Sequence, residues 1–320
     1  MSLRSTGSFA SPQLRLVATL FTVYVLWATS YLAIKHVVQV FPPLLMSGLR
    51  SLLAATVLYG WLRWDGQTLP PLSQWRDASW VGLFAITGGS GLLALGLRDT
   101  PSGVAAVLYA TMPIFTCLIL VGGWGARISG LQWIGSALGW MGVILLNLDV
   151  WGGHVGSLDA PSRLLGPALV LASAACAALA AVWSSRGKMP PSLLASTCIQ
   201  LLVGGAVTTL IAVGLGQKIG RPSGSVLGAF LYLSLVISVC GYLAFNDLTQ
   251  RAGPAVATSY AYVNPPLALA LGALFLGESV TGQSVLAVTI VLLGVAMVLS
   301  AATRQRSNRT ADQIHHELKQ

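Results

Sequence analysis

Charge is what this sequence has least of: 8% of its 320 residues are Asp, Glu, Lys or Arg, and only nine of those are acidic. None of the nine falls in the middle of an apolar stretch, so there is no buried carboxylate pair for acid–base chemistry. The four cysteines, Cys117, Cys176, Cys198 and Cys240, each sit in a different apolar stretch without CxxC or Cys/His spacing, which excludes a disulfide framework or a thiolate metal site. The four histidines are confined to loops (His36, His154) and the tail (His315, His316). No HExxH, nucleophile–base or phosphate-loop motif occurs, so no catalytic residue, metal site or cofactor is expected. Long polar stretches are missing too, and with them any soluble domain large enough to bury its own core.

Apolar residues fill the space, at 55% of the chain with a mean hydropathy of +0.75. A membrane span needs about 20 largely apolar residues. Ten stretches qualify: 14 to 34, 44 to 62, 78 to 97, 102 to 121, 130 to 148, 164 to 183, 190 to 215, 226 to 248, 255 to 276 and 280 to 301. The reading is an all-α membrane protein of ten transmembrane helices. The first stretch follows Arg4 and Arg15 but is too long for a signal-peptide core and lacks a small-residue cleavage site, so it is taken as a retained helix.

Lys and Arg set the orientation, because cytoplasmic loops carry their excess. With the amino terminus inside, twelve fall on the cytoplasmic side, five on the other, and Arg50 lies within a span. Both termini are therefore expected in the cytoplasm. The net charge of +9 is then a topology signal and a match to anionic lipid, not a nucleic-acid footprint.

Sliding residues 102–146 against 254–298, an offset of 152, pairs Pro113 with Pro265, Gly125 with Gly277, Gly130 with Gly282 and Gly142 with Gly294, within seven identities over 45 positions. Pro42 and Pro43 likewise fall opposite Pro190 and Pro191, which places the counterpart of Arg50 near Cys198. Proline and glycine have special backbone roles, so their agreement outweighs the modest count. Two units of five helices follow, and because five is odd the second must enter the membrane in the opposite sense. Secondary transporters are commonly built from such inverted repeats, with the site near the midplane between them.

The stretches "YVLWATSYLAIKHVVQVFPPLLMSGLRSLLAATVL", "PSGVAAVLYATMPIF" and "AVATSYAYVNPPLALALGALFLGESV" resemble the drug/metabolite transporter superfamily, EamA type, and within it the YedA-like permeases. The resemblance implies a cytoplasmic amino-terminal segment (1–13), two five-helix repeats (14–148 and 164–301) and a cytoplasmic polar tail (302–320). It further implies a central cavity lined in part by the third, fourth, eighth and ninth helices.

Polar and aromatic groups inside the spans mark the candidate site. Pro113, Pro265 and Pro266 lack N–H groups and are expected to break their helices, leaving carbonyls near 261 and 262 unpaired beside a cavity. Tyr260 and Asn264 share one helix face and Tyr262 lies on the next, although such groups also serve as packing glue between helices. Trp27, Tyr31 and Lys35 follow helical spacing on the first helix with Ser30 beside them, as do Ser234, Ser238, Tyr242 and Asn246 on the eighth. Tyr109 precedes Pro113, and "TGGSG" at 87–91 loosens the third helix. Arg50 has two open roles: pinning its helix to carbonyls freed around Pro113, or attracting a substrate carboxylate. Glu278 reads as a helix-start residue.

These residues point to a secondary transporter that exports a small neutral or zwitterionic metabolite, such as an amino acid, by alternating access. A multidrug efflux carrier is disfavoured by the lack of a mid-membrane acid, and a phosphorylated-metabolite exchanger by the lack of several cavity cations. The partners are a small-molecule substrate and the bilayer, with protons the candidate coupling ion and no nucleic acid. Asp247 is the one acid near a cavity mouth. Oligomeric state is not legible at this level.

Overall fold

The computed structural model describes residues 12–100, 102–146, 161–276 and 281–317; Asp149, His154, Asp159 and Glu278 lie outside them. Every element among the described residues is helical. α1 (Pro12–Val37) leads to α2 (Pro43–Trp64), which begins on a proline whose missing N–H would have no partner in a first turn anyway. α3 (Arg76–Gly82), a π-helical stretch (Leu83–Gly91) and α4 (Leu92–Asp99) form one rod. Then come α5 (Ser102–Tyr109), α6 (Met112–Trp124) and α7 (Gly130–Leu146).

The second half repeats this order. α8 (Pro161–Arg186) and α9 (Leu193–Gly214) precede a second rod in which α10 (Gly224–Leu231) and α11 (Tyr242–Ala252) flank a π-helical stretch (Tyr232–Gly241). α12 (Pro254–Ala257) and α13 (Tyr260–Leu276) mirror α5 and α6, and α14 (Gly282–Glu317) mirrors α7 but runs on through the polar tail. Seven of these rods are long and apolar enough to cross a membrane, and Leu14–Ser30 and Gly130–Leu146 are shorter apolar helices.

Packing between the halves is reciprocal. A Cβ on Gly142 would meet the Ala287 carbonyl and Val291, while one on Gly294 would meet the Gly135 carbonyl and the Gly139 amide. Adding 152 to 135, 139 and 142 gives 287, 291 and 294, so the α7–α14 seam is self-complementary, as two-fold related units require. The α2–α9 pair behaves the same way at an offset of 150. The Gly48 carbonyl lies against Gly205, and the Cys198 thiol points at the Ala55 carbonyl. Both helices span 22 residues and are followed, two residues past their last turn, by glycines with positive φ, Gly66 at 72° and Gly216 at 69°. Only glycine adopts that conformation without strain. This register makes Gln200 the counterpart of Arg50, two residues beyond the position that the proline pairs indicate.

Candidate functional site

Two of the helices are interrupted where they cross the interior. Between α5 and α6 the break falls at Ala110–Thr111, directly before Pro113, which occupies the first turn of α6. Between α12 and α13 it falls at Thr258–Ser259, so the proline pair does not itself end a helix: Pro265 and Pro266 lie inside α13. A proline ring meets the carbonyl four residues earlier, here Ala261 and Tyr262. Just there the ladder tightens, with the Ala261 and Tyr262 amides donating three residues back to Thr258 and Ser259. Side-chain hydroxyls add to the break, as Thr258 Oγ1 donates to the Pro254 carbonyl and Ser259 Oγ to the Val256 carbonyl.

A cavity of about 70 Å³ lies beside these breaks, walled by Trp27, Ser30, Ile34, Arg50, Ala85, Ser90, Leu93, Tyr109, Met112, Ala177, Ala180, Ile237, Tyr242, Phe245 and Tyr260. One side is an aromatic box. The Trp27 ring lies 5.6 Å from Tyr242, 5.9 Å from Phe245 and 5.5 Å from Tyr260, and Phe245 meets Tyr260 edge-on at 5.9 Å. Gly241 permits the close approach, since any Cβ there would strike the Trp27 indole. The Tyr109 and Tyr260 hydroxyls are 3.2 Å apart, joining the two interrupted helices, and Tyr24 ties α1 to Ser259 at 2.7 Å.

Arg50 forms the other side. It is only 4% exposed, and its Nη2 donates to Ser90 Oγ at 2.6 Å; Ser90 in turn contacts Ser47 Oγ at 2.6 Å. Its Nε and Nη1 have no hydrogen-bond partner. No acid lines the cavity, and the two ion pairs among the described residues, Arg76–Asp77 and Arg251–Asp247, lie near rod ends. A buried cation without a counter-charge is costly unless something supplies the missing charge.

The cavity therefore gathers Trp27, Ser30, Arg50, Tyr109, Tyr242 and Tyr260 from the residues singled out in the sequence. Ser234 and Ser238 do not line it, and three others also lie elsewhere. Asn246 is 2% exposed and bonded to Thr197 (3.0 Å), Gln200 (2.9 Å) and Ser184 (3.4 Å), tying α11 to α8 and α9. Tyr262 is fully buried with its ring against Gly139 of α7. Asn264 is 4% exposed, lines no part of this cavity, and has no partner for either amide atom. The Tyr31 and Lys35 side chains lie outside the described residues. Ser90 and Phe245 were not singled out in the sequence. Ser90 sits in the π-helical stretch, where five-residue hydrogen bonding shifts which side chains share a face, and Phe245 reads as ordinary apolar filler.

Because Asn246 is satisfied by structural partners, Asn246→Ala lowers the unfolding temperature by a few degrees, in keeping with roughly 0.6 kcal/mol per interhelical hydrogen bond. Ligand affinity stays within about twofold. A thermal-shift series with and without ligand measures both.

With this geometry in place, comparison with known proteins decides the family. Residues 14–148 and 164–300 each match the EamA-like transporter family. The chain belongs to that family. It is a membrane transporter and not an enzyme, working on a small molecule in a lipid environment. The "Uncharacterized inner membrane transporter YedA" of Escherichia coli (strain K12) is 34% identical over 288 residues, 89% of this chain and 90% of that protein. The "Uncharacterized transporter sll0355" of Synechocystis is 26% identical, covering 88% of both. One solved crystal structure superposes with a TM-score of 0.73 at 20% identity, over 90% of this chain and 98% of that one, which shows a shared fold.

Proposed function

We propose that this EamA-family chain is an exporter of a small metabolite bearing one carboxylate, an amino acid or a similar zwitterion, and that it works by alternating access in the inner membrane. The buried, partly unpartnered guanidinium of Arg50 carries this reading. A carboxylate accepts two parallel N–H bonds from adjacent guanidinium nitrogens; Nε and Nη1 have no partner, and each shares an edge with Nη2, which has a second hydrogen beside the one given to Ser90. The aromatic box of Trp27, Tyr242, Phe245 and Tyr260 suits an apolar body, or an ammonium held over ring faces. One cation suits a monocarboxylate better than a phosphate ester, and the absence of a lining acid among the described residues disfavours a lipophilic cation.

The transport cycle follows from a ten-helix, inverted-repeat reading, which the double family match and the reciprocal seams support. Alternating access rocks one half against the other and closes them around this cavity, where Arg50 is 4% exposed. The Tyr109–Tyr260 contact bridges the two interrupted helices and is the natural place for that closure to register the solute. Inner-membrane placement rests on similarity to YedA and on the twelve-to-five distribution of Lys and Arg, with both termini cytoplasmic.

Reporter fusions after Arg63, Arg127, Arg186 and Arg251 accordingly report cytoplasm, and fusions at Asp99 and Arg221 the outer side. A second half of opposite sign removes the inverted repeat. The functional test is export profiling of an overexpressing strain against a deletion strain, over amino acids and toxic analogues. Selective accumulation of one carboxylate-bearing solute in the medium supports the reading; export confined to uncharged or cationic compounds sinks it.

A further inference from the structure

Counted from their prolines, the two interrupted helices do not share one conformation. Pro113 and Pro265 are counterparts at the offset of 152, the register that the α7–α14 seam also keeps. α5 begins at Ser102 and α12 at Pro254, again 152 apart, yet α5 runs to Tyr109 while α12 stops at Ala257. Subtracting 152 from Thr258–Ser259 puts the second break at 106–107, whereas the first lies at Ala110–Thr111. The difference is four residues, one helical turn.

Hydroxyls hold each break where it now sits. Thr111 Oγ1 donates to the Leu108 carbonyl at 2.6 Å, and Thr258 and Ser259 donate to the Pro254 and Val256 carbonyls. A second place in α13 is already weak. Pro265 and Pro266 withhold the N–H groups that the Ala261 and Tyr262 carbonyls would accept four residues on, so the ladder is thin around Tyr262–Val263, the counterpart of the first break. The first residue after each break lines the cavity, Met112 in one half and Tyr260 in the other. With the second break at Tyr262–Val263, that residue is Asn264. Asn264 is 4% exposed and has no hydrogen-bond partner for either amide atom, an expensive state for a group with two donors and two acceptors.

Resting on the alternating-access reading, we infer that the second break moves by one turn in the oppositely facing state and that Asn264 then becomes a wall of the solute cavity. An inverted repeat reaches its opposite state when each half takes up the conformation of the other, and the one-turn difference between the breaks is the motion this requires. There the amide meets the polar end of a zwitterion or similar solute. Ala261, the counterpart of the cavity residue Tyr109, joins the same wall.

Thiol reactivity tests this in the full chain, freed of its native cysteines and kept in membranes of an overexpressing strain. Asn264→Cys is compared with Ser30→Cys, a wall of the present cavity, and with a chain that retains only Cys198, 1% exposed in the α2–α9 contact. An irreversible reagent collects even a sparsely populated state. Methyl methanethiosulfonate, small and neutral, is expected to modify Asn264→Cys at least tenfold faster than Cys198. Adding Thr258→Val and Ser259→Ala removes the hydroxyls that hold the break, and raises the Asn264→Cys rate at least threefold while Cys198 is unchanged. Ala261→Cys repeats the measurement where Asn264→Cys does not accumulate.

A thiol at 264 as slow as Cys198 overturns the inference, as does a rate that the two hydroxyl replacements leave unchanged. Equal acceleration of both thiols marks general loosening and overturns it too. Ser30→Cys keeps this result separate from the reading it rests on. If access alternates, impermeant sulfonatoethyl methanethiosulfonate reaches Ser30→Cys from outside in intact cells and from inside in inverted vesicles. Reaction from both faces with an inert thiol at 264 sinks only the moving break; reaction from one face alone sinks alternating access, and the moving break with it.

Discussion

Arg50→Gln lowers affinity for the carboxylate substrate by roughly 100-fold, because two charge-assisted hydrogen bonds together contribute about 3 kcal/mol. The ligand-free protein moves the other way. Its guanidinium is buried with Ser90 as its hydrogen-bond partner and no acid beside it, so removing the charge leaves thermal stability unchanged or raised. Opposite signs for affinity and stability separate a binding role from a structural one, since a pinning residue would lose both. Arg50→Lys keeps the charge but not the planar fork, and recovers only part of the affinity. Binding isotherms and melting curves on the three proteins check this. A drop in stability with unchanged affinity would assign Arg50 to the scaffold.

The largest effect on folding is expected at the α7–α14 seam. A Cβ on Gly294 would sit 2.6 Å from both the Gly135 carbonyl oxygen and the Gly139 amide nitrogen, and backbone cannot move aside as a flexible side chain can. Gly294→Val therefore forces the two helices apart along a contact whose attraction depends on close backbone approach. Overpacking costs about 1–3 kcal/mol before the lost contacts are counted. Membrane abundance and melting temperature should fall sharply, by ten degrees or more in the purified protein. Gly122→Val meets nothing within 4 Å and serves as the control, with little change. Equal behaviour of the two variants would mean that the seam does not hold the halves together.

These two positions show what the sequence discloses and what it withholds. Gly142 and Gly294 were legible as repeat partners because backbone-special residues recur at one offset, and the structure places them in reciprocal contacts. Aromatic residues beside prolines marked Tyr109 and Tyr260 for the same reason: a broken helix needs neighbours that satisfy it. Asn246, Tyr262 and Asn264 do not line this cavity, because helical spacing says which residues share a face but not which neighbour that face meets. Asn246 turns toward Thr197 and Gln200, and Tyr262 toward Gly139. The proline pair misled by position, since its steric effect is felt a turn earlier, and the break falls at Thr258–Ser259.

Register was the other hidden quantity. Prolines before the second helix of each half suggest an offset of 148, whereas the matched glycines Gly66 and Gly216 just past the helix ends and the Gly48–Gly205 and Ala55–Cys198 contacts require 150. Loop prolines tolerate insertion; packed glycines do not. With the correct register, Arg50 in the first half has Gln200 as its counterpart in the second. Gln200 is spent on Asn246 and Ser196, while Arg50 lines the cavity with two buried nitrogens that have no hydrogen-bond partner.

The carboxylate claim is tested most directly in proteoliposomes of the wild-type protein and Arg50→Gln. The substrate found by export profiling is loaded alongside its methyl ester, and initial efflux of each is measured. The wild-type protein should carry the free acid at least tenfold faster than the ester, and Arg50→Gln should abolish that preference by losing the acid while ester flux is unchanged. Equal efflux of acid and ester by the wild-type protein would contradict carboxylate recognition at Arg50.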